Sequence, residues 1–423
     1  VAYDAPTAHG DHNAEPAYDI DGIRAAYPAL ADGHAYLDGA GGTQVPQPVI
    51  EAIADAYRQG ISNVGGASAT SRRSDGIVAE CRRAVADLVG GEPEGVVLGP
   101  SMTALTYRLA DALARQWGPG EEVVVSRLDH DANVRPWVQA AERAGATVRW
   151  AEVDAATGEL PVEQYDDLLG ARTRLVAVTG ASNLVGTRPD VAAIAARAHA
   201  VGALVHVDGV HSTPHVGADV RALGADFYAT SAYKWSGPHL AAVVADPVAL
   251  DGVRPDRLLP APEEAPGRFE RGTLPFADLA GAVAAVDHLA GLDAGAAGSR
   301  RARVLASMAA VEAYETELFG YLLGSLDAMA HVTTYGKAAR RTPTAYFTVA
   351  GHTPREVAEH LADRRVNVSN GSNYAWELAG VLGLRDSGGA VRASLAHYTD
   401  RSDVDRLLEG VADLARPGAD HRA

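Results

Sequence analysis

Lysine is almost missing from this chain: of 37 Lys and Arg residues, only Lys234 and Lys337 are lysines. Cysteine is scarcer still. Cys81 stands alone, which excludes an intrachain disulfide framework. Positive charge is also in deficit, with 54 acidic residues and a formal net charge of −17. That balance argues against nucleic-acid or anionic-membrane partners, which call for basic patches. No apolar run is long enough to span a bilayer, and no basic-then-apolar leader opens the chain. These absences together give the expectation of a cytoplasmic protein.

What is present reads as a large globular enzyme. The 423 residues, 47% hydrophobic and 22% charged, exceed the usual limit of one hydrophobic core. Short apolar runs at Gly95–Leu98, Glu122–Ser126, Thr147–Val153, Leu175–Thr179, Ala203–Asp208, Asp226–Thr230 and Leu240–Ala245 alternate with helical patterns. This is the pattern of an α/β fold with a mostly parallel, doubly wound sheet. Helices are expected at Val49–Arg58, Asp75–Leu88 and Ala104–Leu113, and a long loop at Leu258–Phe276. Further on, helices at Leu279–Leu292 and Arg300–Leu326 lead into a different alternation. Strands Thr344–Val349, Val366–Ser369 and Val391–His397 are interleaved with helices Pro354–Arg364, Ala375–Leu382 and Ser402–Leu414. The expected division is a large domain over 36–285, a small α+β domain over 286–423, and an N-terminal arm, 1–35, contributing to the small domain.

The scarcity of lysine draws attention to Lys234. Arginine can neutralise charge but stays protonated, so it cannot offer a neutral amine to a carbonyl carbon. A lysine kept where arginine is the default points to amine chemistry, of which a Schiff base with pyridoxal 5′-phosphate (PLP) is the commonest kind. Upstream, the strand-like Ala203–Asp208 ends in a carboxylate at the edge where ligands of open α/β sheets bind. An acid facing the pyridine nitrogen keeps PLP protonated and electron-withdrawing. One crossover and one strand separate Asp208 from Lys234, so neighbouring strand ends can present both groups to one ring.

Other strand ends add to the constellation. Ser101, Met102 and Thr103 precede or open an apolar-periodic helix whose unpaired amides and dipole suit a phosphate; a plain Ser/Thr cap is the simpler reading. His130 follows Glu122–Ser126, where an imidazole could stack on the ring and move protons. Asn183 follows Leu175–Thr179 and could bond the ring oxygen. Asp38–Gly42 has some likeness to a dinucleotide loop but lacks the spaced third glycine and the later acid. His211 and His215, four apart, lack a third ligand and flank Pro214, so no metal is expected.

These motifs resemble the class V aminotransferase group of fold-type I PLP enzymes, in its cysteine-desulfurase-like branch. The resemblance runs from Tyr36-Leu37-Asp38-Gly39-Ala40-Gly41-Gly42 to Val391-Arg392-Ala393-Ser394, and is most specific at Asp129–Trp137, Ala181–Thr187, Val207–Ser212 and Ala229–His239. It implies the PLP-dependent transferase fold and PLP as cofactor. Lys234 would be the Schiff-base lysine, Asp208 the pyridinium partner and His130 the stacking residue. Asn183 and His211 would lie near the ring oxygen, and Ser231, Tyr233 and the amides around Met102 and Thr103 at the phosphate. It further implies a homodimer in which Gly272 and Thr273 reach the other subunit's phosphate, and an amino-acid substrate whose carboxylate meets Arg392.

The departures bear on the chemistry. Cysteine desulfurases of this family carry a catalytic cysteine before the last strand, whereas Val368–Trp376 here contains none. Cys81 falls inside a helix on what reads as a packed face, where a thiol is inert. An arginine frequent near position 369 in the family is also missing, while Asn373 and Tyr374 are expected at the pocket mouth. The sequence therefore points to a PLP-dependent lyase that eliminates a sulfur leaving group from a cysteine conjugate held as an external aldimine. Epimerase, aminotransferase or decarboxylating deaminase activity on an amino acid, through the same carbanion, remains open, as does a PLP-fold module without catalysis.

Overall fold

In a computed structural model that describes residues 18–415, the alternating apolar runs become a seven-stranded sheet. Its strands are β1 (Val96–Gly99), β2 (Glu122–Ser126), β3 (Thr147–Ala151), β4 (Thr173–Thr179), β5 (Leu204–Asp208), β6 (Phe227–Ser231) and β7 (Ala241–Ala245). They lie in the order β1-β7-β6-β5-β4-β2-β3, with β7 antiparallel to both neighbours and the other pairs parallel. The carboxyl ends of six strands therefore share one edge. Helices cover both faces, which is why the central strands read as continuous apolar runs. Val97, Val125, Phe227 and Val243 pack in the core that includes helices Met102–Leu113 and Arg135–Ala144. Their neighbours Val96, Val124, Tyr228 and Val244 join the core of Ala69–Val89, Val191–Ala200 and Phe276–Leu289.

A second, four-stranded antiparallel sheet runs Ser369–Gly371, Ala390–Ser394, Thr344–Val349 and Val332–Tyr335. Phe347, Val391 and Ala393 pack there with Leu322, Val357, Leu361 and Leu407. The helices on this sheet are defined locally: Thr353 with Glu356 and Asp400 with Asp403 form capping boxes, satisfying orphan amides at both helix starts.

Several expected elements shift. The helix expected at Asp75 begins at Ala69, because Ser68 caps it by accepting from Ser71 N at 3.2 Å, in a turn too polar to show periodicity. The single strand expected at Val366–Ser369 is two: Val366–Asn367 pairs in parallel with Ala35–Tyr36, while Ser369–Gly371 pairs with Ala390–Ser394. The last strand stops at Ser394 rather than His397, since Ala396 and Thr399 close a turn on each other. The half-exposed strand Val332–Tyr335 was not visible in the pattern. Of the expected arm, residues 1–17 lie outside the described residues. The remainder includes a short helix, Ile20–Ala25, and a single 3-10 turn, Pro28–Asp32. Nearby, Tyr18 stacks on Tyr314 at 4.5 Å and Arg24 pairs with Asp400 and Asp403. Among the described residues no helix is long and apolar enough to cross a membrane.

Candidate active site

The strand ends open into a cavity of about 1060 Å³. Asp208 closes β5, opposite Ala229 of β6, and Lys234 sits in the turn Ala232–Lys234 that directly follows β6. Both line the cavity, so neighbouring parallel strands do present the acid and the amine together. Ser231, at the end of β6, and Tyr233 line it too, as do Ser101, Met102 and Thr103 past the end of β1. Ser101 is the cap of helix Met102–Leu113, its Oγ accepting from Ala104 N at 3.1 Å. The helix thus starts two residues earlier than its apolar period indicated, and its first-turn residues Met102 and Thr103 line the cavity. His130 follows β2, Asn183 follows β4 and His211 follows β5; all three line the same space.

The facing wall comes from the second sheet and the segment between its strands Ser369–Gly371 and Ala390–Ser394. Arg392, on Ala390–Ser394, is 3% exposed; its Nε donates to Ser369 Oγ (3.0 Å) and one terminal nitrogen to Asn183 O (2.8 Å). Asn373 and Tyr374 form the rim. Their φ angles, 48° and 61°, lie in the left-handed region that non-glycine residues rarely adopt. The conformation is held from the opposite wall: Asp131 N donates to Tyr374 O and Asn183 Nδ2 to Asn373 O, each at 2.8 Å. The Tyr374 ring stacks on His130, centroids 5.5 Å apart. Glu377 then fastens the segment to Arg127 and Arg135.

Gly272 and Thr273 are not brought to this cavity. Both are exposed, and a side chain at Gly272, where φ is 80°, would meet nothing within 4 Å. The loop is nonetheless anchored, because the Glu270 carboxylate takes hydrogen bonds from Leu98 N (2.9 Å) and Arg82 (2.8 and 2.9 Å).

Sequence reasoning overlooked several groups. Thr179, Tyr107, Asp131, Arg135, Asn370, Ser372 and Trp376 all line the cavity. Asp38 lies close enough to Lys234 and Arg392 to interact with both charges. The glycine run that follows it was a usable signal, for Lys234 Nζ donates to Ala40 O. Asp129 is buried and bound by Ser126 and Asn133.

Burial sets the electrostatics. Desolvation, assisted by the Arg392 charge, lowers Lys234 to about 7 despite Asp208 and Asp38. The amine is therefore substantially neutral near pH 7. Burial raises Asp208 to about 6, opposed by the Val210 amide and Lys234. His130 falls to about 4, chiefly through burial and then through Lys234 and Arg392. Cys81 is fully buried within helix Ala69–Val89, does not line the cavity, and has its thiol pushed up to about 12 by burial.

These groups fit PLP. One Asp208 oxygen accepts from Val210 N at 2.9 Å, and among the described residues the other has no donor, which leaves it free for a ring N–H. Buried Asn183 Oδ1 likewise lacks a partner among the described residues. A helix start suited to an anion stands elsewhere on the same wall, and the buried amine of Lys234 is in reach of the same space.

Comparison with known proteins agrees. The aminotransferase class-V family profile matches residues 35–407, so the chain belongs to that family, a group of PLP-dependent enzymes with the fold-type I architecture. An uncharacterized protein of Mycobacterium tuberculosis is 39% identical over 94% of this chain and all of its own length. An aminotransferase-like protein of Gibberella zeae is 32% identical over 92% of this chain and 97% of its own, and a cysteine desulfurase of Enterobacter 31% over 93% and 98%. Among solved structures, the cysteine desulfurase CsdA of Escherichia coli superposes with a TM-score of 0.83 at 27% identity, covering 94% of this chain and 98% of that one. A C-DES mutant with glycine covalently linked to its PLP, 21% identical, shares the fold with a TM-score of 0.76 over 92% and 99%. PLP is the cofactor of this cysteine-desulfurase-like enzyme.

Proposed function

We propose that the enzyme is a lyase that cleaves the carbon–sulfur bond of a cysteine conjugate by elimination. The observation that carries this reading is the missing thiol: Val368–Trp376 contributes Ser369, Asn370, Ser372, Asn373 and Tyr374 to the cavity but no cysteine, and Cys81 is enclosed elsewhere. With no protein thiol in the cavity to take up sulfur as a persulfide, sulfur leaves attached to its own substituent.

When bound, PLP supplies an electron-withdrawing ring that stabilises negative charge at Cα. Asp208, buried in the cavity wall, would hold the ring nitrogen's proton, and His130 would be the residue to stack on the ring. Arg392 pairs with the substrate carboxylate, its guanidinium already oriented by Ser369 and Asn183. Lys234 removes the Cα proton, a task matched to an amine whose pKa lies near 7. The C–S bond then breaks with its electron pair on sulfur, the thiolate takes a proton, and hydrolysis of the three-carbon fragment yields pyruvate and ammonia. Arg135, Tyr374 and Trp376 at the rim leave room for the sulfur substituent. Gly272 and Thr273, exposed on an anchored loop, support a homodimer in which they complete the partner's phosphate site. The lone cysteine is consistent with a cytoplasmic setting.

Incubation with a panel of S-substituted cysteines tests the reading. Pyruvate, ammonia and free thiol in equal amounts are expected. Alanine with protein-bound sulfur would return the enzyme to desulfuration, and a racemised or oxo-acid product without thiol would assign it to epimerisation or transamination.

A further inference from the structure

His211 meets the cavity from the turn after β5, yet its orientation is decided outside that turn. Its Nε2 lies 3.0 Å from Oγ1 of Thr344, the first residue of a strand in the second sheet. Thr344 is fully buried. Its hydroxyl has no other hydrogen-bond partner among the described residues, so only one proton arrangement satisfies both groups. If Nε2–H donated, the buried threonine O–H would have no acceptor. If the hydroxyl donates, Nε2 is the acceptor and the ring proton resides on Nδ1. A second contact limits rotation of the ring: His215, 2.8 Å from the buried Glu315 carboxylate, lies edge-on to His211 with centroids 5.2 Å apart. The charged groups facing His211 are Lys234 and Arg392, with His215 beside it. Together with burial they keep the imidazole neutral, so its tautomer decides whether it offers a donor or a lone pair.

We propose that Thr344 is a positioning residue whose hydroxyl donates to His211 Nε2 and thereby presents Nδ1–H to the cofactor's ring oxygen. The proposal rests on the reading that His211 lies beside that oxygen. A donor there favours the oxygen's anionic form; a bare Nδ1 lone pair opposes it. The second sheet thus tunes the cofactor through one hydroxyl, without touching it.

The test is a pH titration of the visible absorbance of PLP-loaded wild type, Thr344→Val, Thr344→Ser and His211→Ala. Valine keeps the shape and removes the hydroxyl that holds Nε2 as an acceptor, so the bias toward Nδ1–H is lost and the donor to the ring oxygen weakens. The apparent pKa of the chromophore should rise by about one unit, a tenfold change in proton affinity. Serine restores the donor and should titrate like wild type. Thr344→Ala supplies the same comparison should the valine variant not fold. A Thr344→Val titration coinciding with wild type, while His211→Ala shifts, would overturn the positioning role and leave His211 beside the cofactor. Coincidence of all four curves would overturn both. A serine variant that shifts as far as valine would make the effect one of packing and also overturn the proposal.

Discussion

Asp208, Ser231 and Lys234 stand at or just beyond consecutive parallel strand ends, in ordinary backbone, on two strands buried along almost all of their length. Asn373 and Tyr374 face them from a segment with two successive left-handed residues, held by hydrogen bonds from the opposite wall and by the Glu377 ion pairs. One wall is rigid because its strands are; the other is rigid only while its cross-wall contacts last. In the proposed mechanism the first carries the cofactor and the second selects the substrate. The same chemistry at Cα can thus be kept while the facing segment changes what is bound.

Substitutions in the two walls should separate these roles. On the strand-end wall, Lys234→Ala should abolish turnover and remove the cofactor mass that borohydride otherwise fixes to the Lys234 peptide. Asp208→Asn should retain PLP but lower kcat by about 10²–10³-fold, the scale of losing a preorganised charge partner. A change confined to KM, with kcat intact, would contradict its role. On the facing wall, Arg392→Ala should act mainly on KM. A substrate carboxylate left without its guanidinium loses roughly 2–4 kcal/mol, about 30- to 900-fold. Glu377→Ala should cost only a few-fold in kcat/KM. Its wild-type counterpart should become more like it as salt rises, because partly exposed ion pairs are worth about 0–1 kcal/mol and are screened.

The pH dependence of cofactor uptake sharpens the electrostatic half of the comparison. In the proposed mechanism Lys234 must be neutral to take up the cofactor. With a pKa lowered to about 7, the neutral fraction rises about tenfold per pH unit below that value and levels off above it. Stopped-flow loading of apoenzyme should therefore plateau above about pH 8. A rate still climbing steeply at pH 9 would mean an ordinary lysine.

The same contrast explains what was legible in the sequence. Asp208, His130, Asn183 and Lys234 follow apolar runs that mark parallel strands, so a local pattern located each of them at one sheet edge. Nothing local marks Thr344, whose interest comes from a residue 133 positions away. The helix start at Met102 was obscured because Ser101 caps by side chain rather than by apolar period. Val366–Ser369 read as one strand because period-two patterning cannot reveal that Val366 and Ser369 serve different sheets. Gly272 and Thr273 were placed at a phosphate by resemblance alone, and they stand exposed on a loop away from the cavity.

The central claim, that this PLP enzyme works without a protein thiol, is tested most directly by Cys81→Ser. Steady-state turnover of an S-substituted cysteine, measured beside wild type with mass spectrometry of the intact protein, should be unchanged within about twofold, as for a conservative change at an inert buried thiol. No persulfide should appear on either protein. Lost turnover in the variant, with a persulfide on wild-type Cys81 and alanine as product, would contradict the account.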